Sequence, residues 1–277
     1  MIRIEKSNLI SLLKRTKREA VVGGKKIPQV NSTVIHHSYH GAETVSIVRD
    51  GVSSIARFTA PVVEGDGGEI YVANIELLLG ALSAHSGVVS IESKEGKVIL
   101  KSKSKSTTLV SDPKAKAFPH TNKTVAEWSD ESNERFGKSL VAIGADQYTM
   151  QDGTTIEGKV ATVPTKELFD AIHSGSVNGQ MVEQVRLINN PDLTLEVRVG
   201  DEMKGASSTL ITSTLDGWVG ATTIGGGFEH ILAHCADPEC DLLFFDFSSY
   251  GAGIAVVLRT GPRNAPTSVV FQREASK

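Results

Sequence analysis

One pattern recurs four times along this chain and limits its fold more than any single residue does. The stretch "EIYVANIELLLGALSAHSGVVSIESKEGKVILKSKSKSTTLV" (69–110) reads as a strand, a helix and three strands. Ile70–Ala73 alternate as a strand does, and Asn74 is placed to cap a helix running to about Ala84. Val88–Ser93, Lys97–Lys101 and Ser106–Val110 are the three strands, with Glu95-Gly96 turning the first pair. The same order returns from "VATVPTKELFDAIHSG" (160–175), where Thr165 caps a helix over Lys166–Ser174 and Asn190-Pro191-Asp192 and Gly200-Asp201 mark turns. It returns again from Trp218, with a helix over Phe228–Ala236, and it also fits the start of the chain from Ile2. One such unit cannot bury both of its faces alone, so units pair. Four βαβββ units make two similar domains of class α+β, at 1–112 and 159–277, and 277 residues is an ordinary length for two. Between them, 113–158 reads as a connector: Pro113, Pro119 and the acidic run Glu127–Glu134 break the pattern, and "KSLVAIGADQYTM" (138–150) adds an extra strand.

Charge is unevenly placed on this framework. The chain has 29 Lys+Arg against 32 Asp+Glu, a formal charge of −3. Residues 1–26 hold eight cations (Arg3, Lys6, Lys14, Arg15, Lys17, Arg18, Lys25, Lys26) and two anions (Glu5, Glu19), so this segment carries +6 and the remainder −9. In "NLISLLKRTKR" (8–18) a helical wheel gathers Leu9, Leu12, Leu13 and Thr16 on one side. Ser7, Ser11, Lys14, Arg15 and Arg18 fall on the other, with Lys17 at the flank and Ser7 available as a cap. No aromatic residue interleaves these cations, so the face suits phosphates better than stacked bases. The alternative is a solvated basic face with no ligand.

The fourfold order of strands and helices, the run "IYVANIELLLGALSAHSGVVSIESKEGKVIL" and the connector "SDPKAKAFP" after it resemble the DNA sliding clamps, the ring-shaped processivity factors, and most of all those of bacteriophages. The resemblance covers nearly the whole chain except 120–158. It implies helices on an inner face and sheets on an outer face, in a homotrimeric ring that encircles double-stranded DNA, slides on its backbone and tethers a replicative polymerase. It implies no enzymatic activity and no cofactor, with the polymerase and a clamp loader as partners, no membrane, and a cytoplasmic location, that of a bacterial host if the protein is viral. Lys14, Arg15, Lys17, Arg18, Lys166 and His173 would line the hole. The edge strands of neighbouring subunits would pair, Thr107, Thr108 and Leu109 of one chain against Ser208, Thr209 and Leu210 of the next. A partner pocket would draw on Phe118, Pro119, Val125 and Phe271.

Other chemistry finds thinner support. No run approaches 18 apolar residues and no apolar signal core opens the chain. Two cysteines, Cys235 and Cys240, make no disulfide framework, which points to a reducing compartment. His230, His234, Cys235 and Cys240 form H-x3-H-C-x4-C, which is not a standard zinc spacing but leaves a metal-dependent enzyme as an alternative. His36, Ser38 and His40 share one face of a strand, without a nearby carboxylate in sequence. "IGGGFE" (224–229) lacks the lysine of a phosphate loop, and no nucleophile or paired-acid signature is present. A further alternative is a viral structural or assembly protein built on a repeated β-rich fold.

Overall fold

A computed structural model describes the chain except residues 23–24, 31, 38–43, 51–53, 112–113, 115–121, 133–145, 151, 176–183, 202–204, 216–217, 226, 273 and 275–277; at 18–22, 25–30, 46–50, 54, 125, 129, 132, 201 and 205 it describes the backbone alone. The chain divides into two compact units, residues 1–49 with 57–137 and residues 50–56 with 138–277.

The first unit opens with β1 (Ile2–Glu5), α1 (Lys6–Thr16) and a hairpin of β2 (Arg18–Val22) and β3 (Lys25–Val30). Then come β4 (Thr33–His37), β5 (Thr44–Asp50), β6 (Ser54–Pro61) and the short β7 (Glu64–Gly65). The second repeat follows as β8 (Gly68–Val72), α2 (Ile75–Ser83), β9 (Val88–Lys94), β10 (Lys97–Ser102) and β11 (Lys105–Val110). The two repeats exchange their first strands. β1 lies beside β9 (Ile2↔Ile91, Ile4↔Val89), and β8 lies beside β4 (Val34↔Tyr71, Ile35↔Ile70). The sheet β11-β10-β9-β1-β7 therefore takes strands from both repeats. Under it, Ile2, Ile4, Leu9, Leu12 and Leu13 are buried with Ile75, Leu78, Leu82, Val89, Ile91 and Leu100. Each such side chain contributes about 1.5–3 kcal/mol on burial.

The second unit repeats the device. Its elements are β12 (Gln147–Thr149), β13 (Thr155–Glu157), β14 (Lys159–Pro164), α4 (Thr165–His173), β15 (Gln184–Asn189), β16 (Thr194–Asp201) and β17 (Gly205–Thr212). They continue as β18 (Gly220–Gly225), α5 (Phe228–Leu232), β19 (Glu239–Asp246), a 3-10 turn (Ser248–Tyr250), β20 (Ile254–Thr260) and β21 (Ser268–Gln272). Again the first strand of each repeat joins the other: β14 pairs with β19, and β18 pairs with β15.

Local signals explain most boundaries. Asn74 Oδ1 accepts the Leu77 N–H at 3.0 Å, the expected cap of α2. Glu95 and Gly96 both take positive φ (52° and 70°), as a two-residue hairpin turn whose twist matches its strands requires. Asn190 donates to the Thr194 carbonyl at 2.9 Å, closing the expected turn.

Five expectations need correction. Helix α1 begins at Lys6 after Glu5 with no side-chain cap, so Ser7 lies inside it. It ends at Thr16, because Lys17 turns to extended backbone (φ −58°, ψ 135°) and Arg18 opens β2, where Val21-Val22 favour a strand. Thr165 is likewise inside α4, with Pro164 before it fixing the helical entry. Gly200-Asp201 stay in the ladder, opposite Ala206 and Gly205. The acidic stretch taken for connector contains α3 (Val125–Ser132), started by a reciprocal cap: Thr124 N–H donates to Glu127 Oε2 at 2.8 Å and Glu127 N–H to Thr124 Oγ1 at 3.2 Å. The Thr124-x-x-Glu127 spacing is the sequence signal for that cap. The extra strand within 138–150 is β12; residues 138–145 lie outside the described ones.

Candidate functional sites: helix faces, open edges and an aromatic cleft

The helix faces carry less open charge than the wheel suggests. Lys14 is exposed on α1. Arg15 is not on a solvent face: it is 5% exposed, its Nε donates to the Ser11 carbonyl (3.3 Å) and an Nη to the Thr59 carbonyl (3.2 Å). Its guanidinium lies 5.9 Å from the centre of the Phe58 ring. A long cationic side chain can reach back over an apolar surface to bond carbonyls, and angular position alone does not reveal this. Lys17 forms an ion pair with Glu76 on α2. The Arg18 side chain lies outside the described ones, and its backbone belongs to β2 and not to the helix. On α4, Lys166 is exposed and pairs with Asp170 one turn on. His173 Nδ1 sits 2.7 Å from Glu229 of α5, with its ring stacked on Phe169 at 5.2 Å. Exposed lysines thus share each helix pair with carboxylates. Lys6 holds the end of α2, donating to the His85 carbonyl at 2.7 Å, where a cation also meets the negative end of the helix dipole.

Two sheets end on open edges. β11 is the outer strand of its sheet and β17 the outer strand of β17-β16-β15-β18. Val110 is 83% exposed and Leu210 64%. Backbone groups along an antiparallel edge alternate between facing the neighbour and facing out. Ser111 N–H donates to the Gly96 carbonyl, so Thr107 and Leu109 face β10 while Ser106, Thr108 and Val110 face outwards. Ser213 N–H donates to the Leu193 carbonyl, so Thr209 faces Val197 while Ser208 and Leu210 face outwards.

The second unit contains a cleft of about 360 Å³ walled by Tyr148, Met150, Phe247, Tyr250 and Phe271, with Glu274 at its rim. Tyr148 meets Phe247 edge-on (5.2 Å, 84°) and lies roughly parallel to Phe271 (6.5 Å, 20°). Phe271, expected in a partner pocket, is thus part of a real aromatic cleft. Phe118 and Pro119 lie outside the described residues, and of Val125 only its backbone, in α3, is described. Sequence reading missed Tyr148, Phe247 and Tyr250, the first of which lies 99 positions before Phe247. No local pattern marks them.

The metal-like clusters do not converge. Among the described residues, no three His, Cys, Asp or Glu side chains are placed to hold an ion. His230 and His234 contact edge-on at 5.1 Å, and Cys235 Sγ donates to Asp237 at 3.5 Å. Burial pushes both thiols up, Cys240 to about 12, which disfavours the thiolate a metal needs. His36 faces Glu69 at 3.2 Å, and His37 Nδ1 accepts the Gly67 N–H at 2.8 Å; Ser38 and His40 lie outside the described residues. Among the described residues, no helix is long and apolar enough to cross a membrane.

Comparison with solved structures places this architecture. The sliding clamp of Caulobacter crescentus matches over 100% of this chain and 65% of its own, with a TM-score of 0.65 at 14% identity. The Bacillus subtilis DNA polymerase sliding clamp matches over 100% and 64%, with a TM-score of 0.63 at 16% identity. The Helicobacter pylori beta clamp bound to a DNA ligase peptide matches over 100% and 65%, with a TM-score of 0.55 at 13% identity. No family model matches the chain. No curated protein matches it either. The chain has the fold of the DNA sliding clamps and spans less than two thirds of the length of the clamps it matches.

Proposed function

We propose that this chain, which has the sliding-clamp fold, is the subunit of a homotrimeric ring that encircles double-stranded DNA and tethers a replicative polymerase, as in the two-domain clamps of bacteriophages. The observation that carries this reading is the clamp match over the entire chain. The outer strands β11 and β17 agree with it. Such edges are a liability unless covered, and a head-to-tail contact between β11 of one copy and β17 of the next closes into a ring if the rotation allows. Thr107, Thr108, Leu109, Ser208, Thr209 and Leu210 lie on those strands, with Thr108, Ser208 and Leu210 offering the open backbone groups.

In this reading the chain acts by topology and not by chemistry. The ring holds DNA loosely through Lys14, Lys17, Lys166 and His173, while the more negative remainder repels the backbone elsewhere. Neither Arg15, which is buried, nor Arg18, which has left the helix, is assigned to the α1 face. The aromatic cleft takes an apolar segment of the polymerase or of a clamp loader. Native mass measurement tests the assembly: a species near three times 29.6 kDa is expected. A strictly monomeric protein at high micromolar concentration and low salt would overturn the ring.

A further inference from the structure

We infer that the β12–β13 hairpin is a latched wall of the aromatic cleft, and that the ion pair between Asp146 and Arg259 at its base is the latch that sets how firmly the cleft holds a peptide. This rests on the reading of the cleft as a partner site.

The hairpin cannot stand alone. It has three ladder pairs, Gln147↔Glu157, Tyr148↔Ile156 and Thr149↔Thr155, and an isolated two-stranded ribbon is marginal in water. It nevertheless supplies Tyr148 and Met150, one wall of the cleft. Something must hold that wall at its ring-contact distance from Phe247 and Phe271.

At the tip, the hairpin closes on itself: Met150 N–H donates to the Thr154 carbonyl at 2.8 Å and Thr154 N–H to Asp152 Oδ1 at 2.9 Å. At the base, Gly158 and Asp146 tie it to the sheet. Gly158 lies under Phe245, where a Cβ would come within 2.8 Å of the ring, so the chain passes close only because this residue has none. Asp146, whose carbonyl accepts the Gly158 N–H at 2.9 Å, accepts from Nη1 of Arg259.

Arg259 is 1% exposed and requires anionic partners. Asp241 takes two of its donors, Nε at 3.1 Å and Nη2 at 2.5 Å, and itself accepts from Thr162 Oγ1 at 2.6 Å. Nη1 is the nitrogen that meets the hairpin. The two carboxylates differ in access, since the Asp146 side chain is 37% exposed and the Asp241 side chain 11%. Asp146 can exchange the guanidinium for water while Arg259 keeps its inner partner. The pair is therefore built to release the hairpin without exposing a bare charge in the core, and Asp146 is a positioning residue for the cleft.

The test is D146N in the full chain, a change that keeps shape and removes charge. Hydrogen exchange across 147–157 should speed up at least tenfold, while β19–β21 exchange as in the wild type. A fluorescein-labelled heptapeptide with a leucine–phenylalanine–tryptophan centre, flanked by glycine and serine, should bind the variant five- to twentyfold more weakly, with native mass unchanged. Unchanged exchange in the hairpin overturns the latch. Faster exchange with undiminished peptide binding overturns its control of the cleft. If the wild type does not bind the probe at all, the partner-site reading falls, and the exchange measurement still decides whether Asp146 holds the hairpin.

Discussion

The open edges β11 and β17 occupy the same place in their repeats, yet they are open at different residues. In β11 the outward backbone groups belong to Ser106, Thr108 and Val110. In β17 they belong to Ser208 and Leu210, and Thr209 turns inwards to Val197. Thr108 and Thr209 look alike in sequence, each a threonine in the middle of a threonine- and serine-rich edge, but one faces a potential neighbour and the other faces its own sheet. Position along an edge strand has a parity, and only the register reveals it. The same contrast between similar-looking residues runs through the two units, and it can be broken or sharpened by mutation.

The largest effect should come from proline at the two threonines. T209P removes a ladder donor inside the second unit and should cost about 3 kcal/mol or more, lowering the thermal midpoint and unfolding that unit first. T108P removes an outward donor. It should leave the midpoint within a few degrees while shifting native mass from the proposed trimer to monomer. If T209P melts like the wild type, the register read from Ser213 and Leu193 is wrong. Leu210→Pro is then the informative partner change, since it faces outwards and should behave like T108P.

Buried arginines provide the next contrast. Arg15 in the first unit is held by two carbonyls and an aromatic ring, Arg259 in the second by two carboxylates. R15A should cost about 2–3 kcal/mol from lost charged hydrogen bonds and packing, seen in denaturant midpoints. A surface cation replaced by alanine in a helix would cost close to nothing. An R15A protein as stable as the wild type would return Arg15 to the solvent face.

Acid should separate the units as well. His36 in the first unit has its pKa lowered, mainly by burial, against the opposing pull of Glu69. Its neutral form is the folded one, so stability is complete above the ordinary value near 6.5 and declines as pH falls below it. In the second unit, burial raises Asp241, but hydrogen bonds from Thr162 and Arg259 outweigh this and hold it below the usual 3.8. Its contribution is present above that value and is lost only as pH falls further. Each unit of pKa shift corresponds to about 1.4 kcal/mol. Hydrogen exchange at pH 5.5 against pH 7.5 should therefore show the first unit loosening before the second, and H36Q should remove the difference. Equal loosening of both units at pH 5.5 would contradict this assignment.

What was legible in the sequence follows the range of the forces involved. The βαβββ order, the Asn74 cap and the Glu95-Gly96 turn depend on neighbours a few residues away, and they appear where expected, except that the first repeat inserts the β2–β3 hairpin between its helix and its three expected strands. The exchange of first strands between repeats depends on partners such as Ile2 and Ile91, 89 positions apart, and no periodicity encodes that. The same holds for the cleft, where Tyr148 meets Phe247 and Phe271 through three separate elements. Angles on a wheel place Arg15 on a charged face, but angle does not tell whether an arginine reaches out to water or back to a carbonyl. The α3 cap was local and legible, and the acidic composition around it hid it.

The smallest effect, and the one closest to the proposed function, concerns the lysines that remain exposed. Lys14 lies in the last turn of α1 and Lys166 in the first turn of α4, the first in the +6 segment and the second beside Glu167 and Asp170. If helix faces meet the DNA backbone, each lysine that touches phosphate releases counterions, and its removal should reduce the salt slope of DNA binding by about 1 per contacting copy. K166A should do so by less than a full unit, because Asp170 already shares the charge of Lys166. Neither change should move the thermal midpoint. K25A/K26A serves as the control, subtracting two charges from the same segment but from the β2–β3 hairpin. A loss of slope in the control equal per charge to that of K14A would mean that general charge, and not the helix face, attracts DNA. A slope unchanged in all three variants would leave the basic segment as a solvated surface and remove the helices from the DNA contact altogether.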